Sequence, residues 1–560
     1  MTALSTPHLT ATQSLAPGGP RRSSEAAPAR TARVAAVIVT WNRCRAVDTV
    51  LKALARQSYP LDCLDVVVVD NASSDGATEF LTAAWHPDHL YQNQTDRAEE
   101  PRFSRVPPTS GNGVARHPFR SLCIVRNASN LGGCGGFNTG FGFVEQFLDP
   151  SESPLDYIWL VDDDVDLPDR ALEQLVSTAS TDPGIGIVGS RTVNFDDRKT
   201  TIETTIYFDR ENGWMGPDPT PDHPAHASHQ AWKQSTGGTR GDLPFSGVRD
   251  VDIVSACSLL ARWSAVKKVG FWDRRYFIYC DDADWCLRFA REGYRVVCDL
   301  DAVVYHTHWL AKLTPARAYY SQRNLVWLTQ KVMTGRALKR ATLRRLGNLM
   351  IDSRKAMTHC RLFHAEIIRR TAHDVVTNRG GKLSDEGPPF VPLLDALEAS
   401  GALRPDSDLL VMCSHAESIH WADELRARVA HALIDRDRAA DIPRWTYLVR
   451  EGTPDPSSLD ANAARRVMFQ PNRASKWRVQ RLFFAAPPSA VVVFDQHNEC
   501  PLLRSRVNIH IDRRRPNHAQ VERDGILPRL AFLRRWAFTA IRCTLYGLRV
   551  RPFVRSSRYG

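Results

Sequence analysis

From Val34 the chain alternates between short continuous apolar runs and segments whose apolar positions recur at helical spacing. Val34 to Thr40 predicts a buried strand, Ala46 to Gln57 a helix, and Val66 to Val69 a second strand directly after it. Strands without a polar face, separated by helices at this pitch, define the α/β class: a mainly parallel sheet flanked by helices, in which ligands collect at the carboxyl ends of the strands. The first two strands end in Trp41-Asn42-Arg43 and in Asp70-Asn71-Ala72-Ser73, and a nucleotide is expected there.

The same reading continues downstream. Gln92 to Arg120 is polar and predicts a long surface insertion, after which Leu122 to Arg126 reads as a strand. Asn130 to Gly140 is a Gly-rich loop leading into a helix through Leu148. Tyr157 to Val161 predicts a strand, Leu172 to Ser177 a helix, and Ile185 to Val188 a strand; Glu211 to Pro244 predicts a second loop-rich insertion. Val251 to Ala261, Trp263 to Val269 and Phe271 to Tyr305 complete this unit, with Phe277-Ile278-Tyr279 as an aromatic strand and Cys286 to Glu292 as a helix. Arg336 to Arg370 predicts long basic helices. From Leu409 a second α/β pattern follows (Leu409 to Cys413, Trp421 to Ile434, Trp445 to Val449, Val491 to Phe494, Val507 to Ile511), to which no chemistry is assigned. The expected organisation is a disordered tail over 1–32, a first unit over 33–330, a basic helical region over 331–400, and a second α/β unit with a basic amphipathic tail over 401–560.

A chain of 560 residues, 43% hydrophobic, has enough apolar side chains for more than one core. Residues 1–33 are rich in Ala, Pro, Ser and Thr, carry arginines and lack an apolar run, so no secretory signal is expected. Twelve cysteines without CxxC pairs fit reduced thiols in a cytosol. The net charge of +11 lies largely in Lys331 to Arg370 and in the last fifty residues; with no nucleic-acid-binding motif beside these runs, nucleic acid is not expected as a partner. No apolar stretch is long enough to span a bilayer. Leu527 to Val554, with Phe532, Leu533, Trp536, Phe538, Ile541 and Leu545 among arginines, predicts an amphipathic helix. Its face could lie on the inner surface of the plasma membrane, on its own unit, or on a second copy of the chain.

Two acidic clusters change the picture from fold to chemistry. Asp162-Asp163-Asp164 follows the Tyr157 strand, and Asp281-Asp282-Ala283-Asp284 follows Phe277 to Tyr279. Carboxylates crowded at the ends of apolar segments repel one another unless a cation or a proton intervenes, which points to metal-assisted chemistry on an anionic substrate. A solvated turn also accounts for Asp162 to Asp164, and helix capping accounts for one aspartate of the second cluster, though not for three. His306 and His308 end the strand Val303 to Tyr305 and are structural or metal-ligating. The glycines at 132, 133, 135 and 136 either cradle a phosphate or form a Gly-rich turn that is only a structural necessity; neither a Walker loop nor a clean GxGxxG is present, which disfavours a nicotinamide oxidoreductase.

In order along residues 33 to 330, the segments VIVTWNR, VVVDNASSDG, NLGGCGGFNTG, LVDDDV, FIYCDDADWCLRFAREGY, VVYHTHW and YYSQRN resemble the GT-A-fold glycosyltransferases of family 2, especially bacterial galactofuranosyl- and rhamnosyltransferases of cell-surface polysaccharides. The resemblance implies a nucleotide-sugar pocket built by Thr40, Trp41, Asn42 and Arg43, with Asp70 near the base, the Asn130 to Gly136 loop (Asn130, Gly132, Gly133) near the donor and Asp163 beside it. It implies Mn²⁺ or Mg²⁺ held by Asp162, Asp164 and His306, and Asp282, with Asp281 next to it, as the catalytic base. The implied reaction is inverting transfer from UDP-galactofuranose or dTDP-rhamnose to a lipid-linked glycan at the cytosolic face of a bacterial membrane. Two features depart from the galactan polymerases: Ser255-Ala256 stands where they carry a Trp pair, and residues 1 to 32 are too few for the additional β-rich domain with which they begin. A non-catalytic glycan-binding or scaffold member of the same fold is the alternative.

Overall fold

The structure is a computed structural model that describes residues 30–95, 100–107, 117–149, 153–308, 314–385, 387–453, 464–494, 500–502, 505–512 and 515–553. Nearly all of the expected N-terminal tail, and Trp309 of the VVYHTHW segment, lie outside the described residues. In the first half the elements run β1 (Val34–Thr40), α1 (Cys44–Ala55), β2 (Leu64–Asp70), α2 (Ala77–Trp85), β3 (His89–Asn93), β4 (Phe103–Val106), β5 (Ser121–Asn127), α3 (Gly132–Phe143), β6 (Tyr157–Asp162), α4 (Ala171–Ser180), β7 (Ile185–Asn194) and β8 (Thr201–Glu203). They continue through β9 (Tyr207–Asp209), β10 (Trp214–Gly216), α5 (His226–Thr236), β11 (Val248–Asp250), β12 (Ser258–Arg262), α6 (Trp263–Val269), α7 (Asp281–Arg291) and β13 (Arg295–His306).

The large sheet has the order β11-β13-β7-β12-β6-β1-β2-β5-β3-β4, with β8 beside β7. β1 lies parallel to both β2 and β6, and β12 runs antiparallel to both of its neighbours. From β1 the chain moves outward through β2 and β5 and then crosses back to β6, so its direction reverses between β1 and β6. A crevice opens at such a reversal, at the carboxyl ends of the strands. The two faces of β1 show why its sequence is a continuous apolar run. Ala35 and Val37 pack in a core with Phe137, Phe141 and Trp285, whereas Val34, Ala36 and Ile38 pack in another with Val50, Leu54 and Leu172.

Both stretches expected as insertions contain regular structure. β3 and β4 pair as an edge hairpin within 89–106, where one side of the ribbon faces water and polar residues are tolerated. Within 211–244, α5 buries His229 against Tyr207 in place of an apolar stripe, so no hydrophobic period betrays the helix.

Three helices follow: α8 (Pro315–Val332), α9 (Gly335–Thr358) and α10 (Leu362–Val376). The remaining elements are β14 (Val391–Pro392), α11 (Leu393–Ala399), β15 (Asp408–Cys413), α12 (Ala416–Ile434), β16 (Arg444–Arg450), β17 (Arg465–Phe469), α13 (Arg473–Ala485), β18 (Ala490–Phe494), β19 (Val507–Ile511), β20 (His518–Arg523) and α14 (Ile526–Arg549). Their sheet has the order β14-β20-β19-β18-β15-β16-β17, parallel from β19 to β17. α14 has two apolar faces. Phe532 is buried and the Trp536 indole N–H donates to Met350 O at 2.8 Å, while Leu527, Leu530, Phe538, Ile541, Leu545 and Leu548 are exposed. The last turn of the helix and the residues after it return to the first half: the Gln330 amide donates to the Tyr546 hydroxyl at 2.6 Å, the Phe553 N–H donates to Gln330 O at 2.9 Å, and Val550 joins the core that holds Trp285. Among the described residues, no helix is long and apolar enough to cross a membrane.

Candidate active site

The crevice between β1 and β6 holds the first acidic cluster. Val39 pairs with Asp162, and the Asp162 N–H donates to Cys257 O at 3.2 Å, which fixes the end of β6. Asp163 points inward and is buried; Asp162 and Asp164 are half-exposed on the other side. The Thr40 hydroxyl donates to Asp163 Oδ2 at 2.8 Å, and the Arg43 guanidinium bridges Asp163 Oδ1 (3.1 Å) and Asp164 Oδ2 (2.6 Å). Burial pushes the Asp163 carboxyl up to about 6, against the pull of Arg43 and the Thr40 hydroxyl.

β13 brings His306 to this turn. Asp166 and Tyr305 form an isolated antiparallel bridge, with backbone bonds of 3.1 and 2.9 Å, so the strand end lies beside the residues that follow β6. His306 Nε2 then stands 3.2 Å from Asp164 Oδ1 and 3.7 Å from Asp162 Oδ2. One ligand atom from each of Asp162, Asp164 and His306 falls within 4.8 Å of the others. Two carboxylate oxygens and an imidazole nitrogen suit Mn²⁺ or Mg²⁺, and three protein ligands leave coordination positions for phosphate oxygens and water.

The second cluster divides into three roles. Asp284 is buried in ion pairs with Arg288 (3.1 Å) and Lys331 (3.0 Å) and holds α7 against α8. Asp281 is buried, and desolvation together with the charge of Asp282 holds its carboxyl well above the usual range. Asp282 is partly exposed and accepts N–H groups from Ala283 (2.7 Å) and Ala256 (3.3 Å). Burial raises its carboxyl to about 6; those two bonds oppose the shift, and the charges of Glu203 and Asp162 add to it. The two clusters meet at adjacent residues, Asp162 donating its N–H to Cys257 O (3.2 Å) and Asp282 accepting the Ala256 N–H (3.3 Å), and the charge of Asp162 adds to the upward shift of Asp281 and Asp282.

Phe277 to Tyr279, expected as a strand, forms a turn, and α7 begins at Asp281 rather than near Cys286. Phe277, Tyr279 and Cys280 sit in the left-handed region (φ 66°, 69° and 63°), which costs non-glycine residues about 1–3 kcal/mol each unless the surroundings hold them there. α8 does so. The Asn324 amide donates to the carbonyls of Tyr276 (2.9 Å), Ile278 (2.8 Å) and Tyr279 (2.8 Å), and buried Arg323 donates to those of Arg275 (3.1 Å) and Tyr276 (3.0 Å). The Arg-Asn pair of the YYSQRN segment thus clamps the turn that delivers Asp281 and Asp282.

The remaining candidates line or brace the β1 side. Asn42, at φ 55°, accepts the Ser74 N–H at 2.7 Å and its own N–H donates to the Ser73 hydroxyl at 2.9 Å, joining the ends of β1 and β2. Asp70 is buried and accepts from the Ser73 N–H (2.8 Å) and the Thr78 hydroxyl, so it shapes its own turn. Asn130 accepts the Gly132 N–H at 2.8 Å. The Gly-rich stretch is not a loop ahead of a helix: α3 starts at Gly132, because the glycines serve packing. At φ 74°, a Cβ on Gly132 would lie 2.2 Å from Phe277 O, and one on Gly136 would lie 2.3 Å from Val39 Cγ1. Gly133 remains half-exposed at the first turn, beside Ile278.

Glu203 escaped the sequence reading. At the end of β8 it accepts the Ser255 hydroxyl at 2.5 Å, its carboxyl is raised by burial, and Arg240 and His306 pull it down. Its only signal is a lone acid in the Thr/Ile run 200–206. Ser255 and Ala256, at the positions of the absent Trp pair, contact Glu203 and Asp282.

No protein-family model matches the chain, and no curated protein matches it. Solved structures overlap it loosely. A mannosyltransferase from Pyrobaculum calidifontis, in complex with GDP-Man and Mn²⁺, superposes with a TM-score of 0.31 at 16% identity over 67% of this chain and 81% of its own. TarS from S. aureus gives 0.36 at 12% identity over 62% and 49%. GalNAc-T7 with UDP, GalNAc and Mn²⁺ gives 0.37 at 10% identity over 65% and 60%. The chain thus spans about half of TarS and three fifths of GalNAc-T7; overlaps this loose leave the chemistry to the side chains.

Proposed function

We propose that the chain is an inverting, divalent-metal-dependent glycosyltransferase of GT-A type, moving galactofuranose or rhamnose from UDP-galactofuranose or dTDP-rhamnose to a lipid-linked cell-surface glycan. The observation that carries this reading is the facing of two unlike acidic groups across one crevice: Asp162, Asp164 and His306, arranged for a cation, and partly exposed Asp282, arranged for a proton. A cation held by that triad would neutralise the negative charge that develops on the departing diphosphate. Asp282 takes the proton of the acceptor hydroxyl as its oxygen bonds to the anomeric carbon, and the bond from that carbon to the diphosphate oxygen breaks on the opposite face. Arg43 keeps Asp163 and Asp164 in place, and Thr40 holds the other oxygen of Asp163. The exposed face of α14, apolar and arginine-bearing with no acidic residue in the helix, is suited to lie on an anionic membrane surface.

The test is release of nucleoside diphosphate from UDP-galactofuranose and dTDP-rhamnose by purified protein with Mn²⁺ and with a chelator. Cleavage of one donor only in Mn²⁺ is the expected result; Mn²⁺ binding without cleavage of either donor, in the presence of glycan acceptors, would favour the glycan-binding scaffold instead.

A further inference from the structure

A cavity of about 830 Å³ lies where α8, α9 and α10 meet the β9–β10 turn, within the span of about 300–1,000 Å³ typical of small-ligand sites. Arg344, Arg345, Lys355 and Arg361 line it together with His359 and His364, against two carboxylates, Asp209 and Asp352. Asp209 is engaged in its own turn, accepting the N–H groups of Glu211 and Asn212 at 2.8 Å each and the Asn212 amide at 2.8 Å. Arg344 donates to Asn212 O (3.0 Å) and Arg345 to Gly213 O (2.6 Å), both neutral acceptors. Among the described residues, Arg344, Arg345 and Lys355 have no carboxylate partner, so the cavity carries uncompensated positive charge. The histidines register it: burial first, and then Arg361, depress His364, and burial with Lys355 among the neighbouring cations depresses His359.

The cavity adjoins the catalytic turn. Arg345 lies near enough to Cys280, the residue before Asp281, for each to shift the other, and the α8 residues Ala318 and Gln322 form part of the wall. Arg317, next to Ala318, hydrogen-bonds the Tyr279 hydroxyl within the field of Asp281. Four cations facing a void, against two carboxylates, form a site for a group that brings its own negative charge and many oxygen acceptors.

We propose that this cavity seats a phosphate or diphosphate group carried by the acceptor, next to the carboxylate that takes the acceptor's proton. The proposal rests on the glycosyltransferase reading and deepens it by naming the charged group of the acceptor that the protein would grip. The probe is inorganic diphosphate, titrated calorimetrically into the full chain with a chelator present. Saturable binding is expected, weakened ~10-fold or more in the Arg344→Gln/Lys355→Gln variant, whose altered side chains are exposed, and unchanged in Asp164→Ala. Binding that ignores the double variant, or that is lost in Asp164→Ala, would overturn the proposal. A second arm separates the sources of phosphate: co-sedimentation with vesicles of phosphatidylcholine and phosphatidylglycerol should be equal for parent and double variant. If the variant loses the vesicles and keeps diphosphate, the cavity reads lipid headgroups and the acceptor assignment fails. Failure of the glycosyltransferase reading looks different: no donor cleavage, with diphosphate binding intact.

Discussion

In the first sheet the chain reverses between β1 and β6, and in the second between β15 and β18, so each presents a crevice at parallel strand ends. The first crevice gathers Asp162, Asp164 and His306, the only metal-capable cluster among the described residues. At the second, β15 runs out through Cys413 to Ser414 and His415, where His415 and Ser418 cap α12. Parallel topology supplies a crevice to both, and a handful of polar side chains decides which one can do chemistry.

The largest effect that can test this contrast is removal of the proposed base. Asp282→Ala is expected to lower transfer by ~10³-fold or more while Mn²⁺ binding persists, measured by product formation and calorimetry. Transfer near the parent rate would remove the first crevice from the reaction. Asp164→Ala and His306→Ala should each weaken Mn²⁺ affinity on the order of 100-fold, and equal titrations in both would dissolve the metal site. Asn324→Ala, which unties three carbonyls of the turn ahead of Asp281 and Asp282, should lower stability by about 2–3 kcal/mol in urea melts and reduce kcat with Mn²⁺ affinity retained.

The pH response follows from the raised carboxyl of Asp282. A base must be ionised, so transfer should fall about tenfold per unit as pH drops below about 6 and level off above it. Stability runs the other way: the folded carboxyl binds its proton more tightly than the unfolded one, so ionisation costs stability as pH rises from about 4 through about 6. Asp282→Asn should therefore melt at a higher temperature than the parent at pH 7 and at a similar one near pH 4. The smallest effect is expected in the second crevice, where Ser414→Ala should change transfer less than about twofold.

Much of this was legible along the chain because it follows from period and strand ends. Val34 to Thr40 and Leu409 to Cys413 read as buried strands from their unbroken apolar runs, and the Asp162 triplet stood out by its place after one. The turn at Phe277 was hidden: aromatic residues favour strands locally, and only Asn324 and Arg323, distant in sequence, impose the left-handed conformation. α3 was read as a loop because the gain from glycine there lies in contact with Val39 and Phe277, which no local propensity records. Glu203 stayed unnoticed because its partners Ser255, His306 and Asp282 meet it only in three dimensions.

The return of the C-terminal segment to the opening half has a practical consequence. Tyr546, Val550 and Phe553 plug the region around Gln330 and Lys331, so a fragment that stops at the end of the second sheet would be left with a gap in the half it was meant to preserve. Trimming the last residues should soften the first crevice before it disturbs the neighbouring sheet, and proteolysis would then cut first in the half most distant along the chain from the truncation.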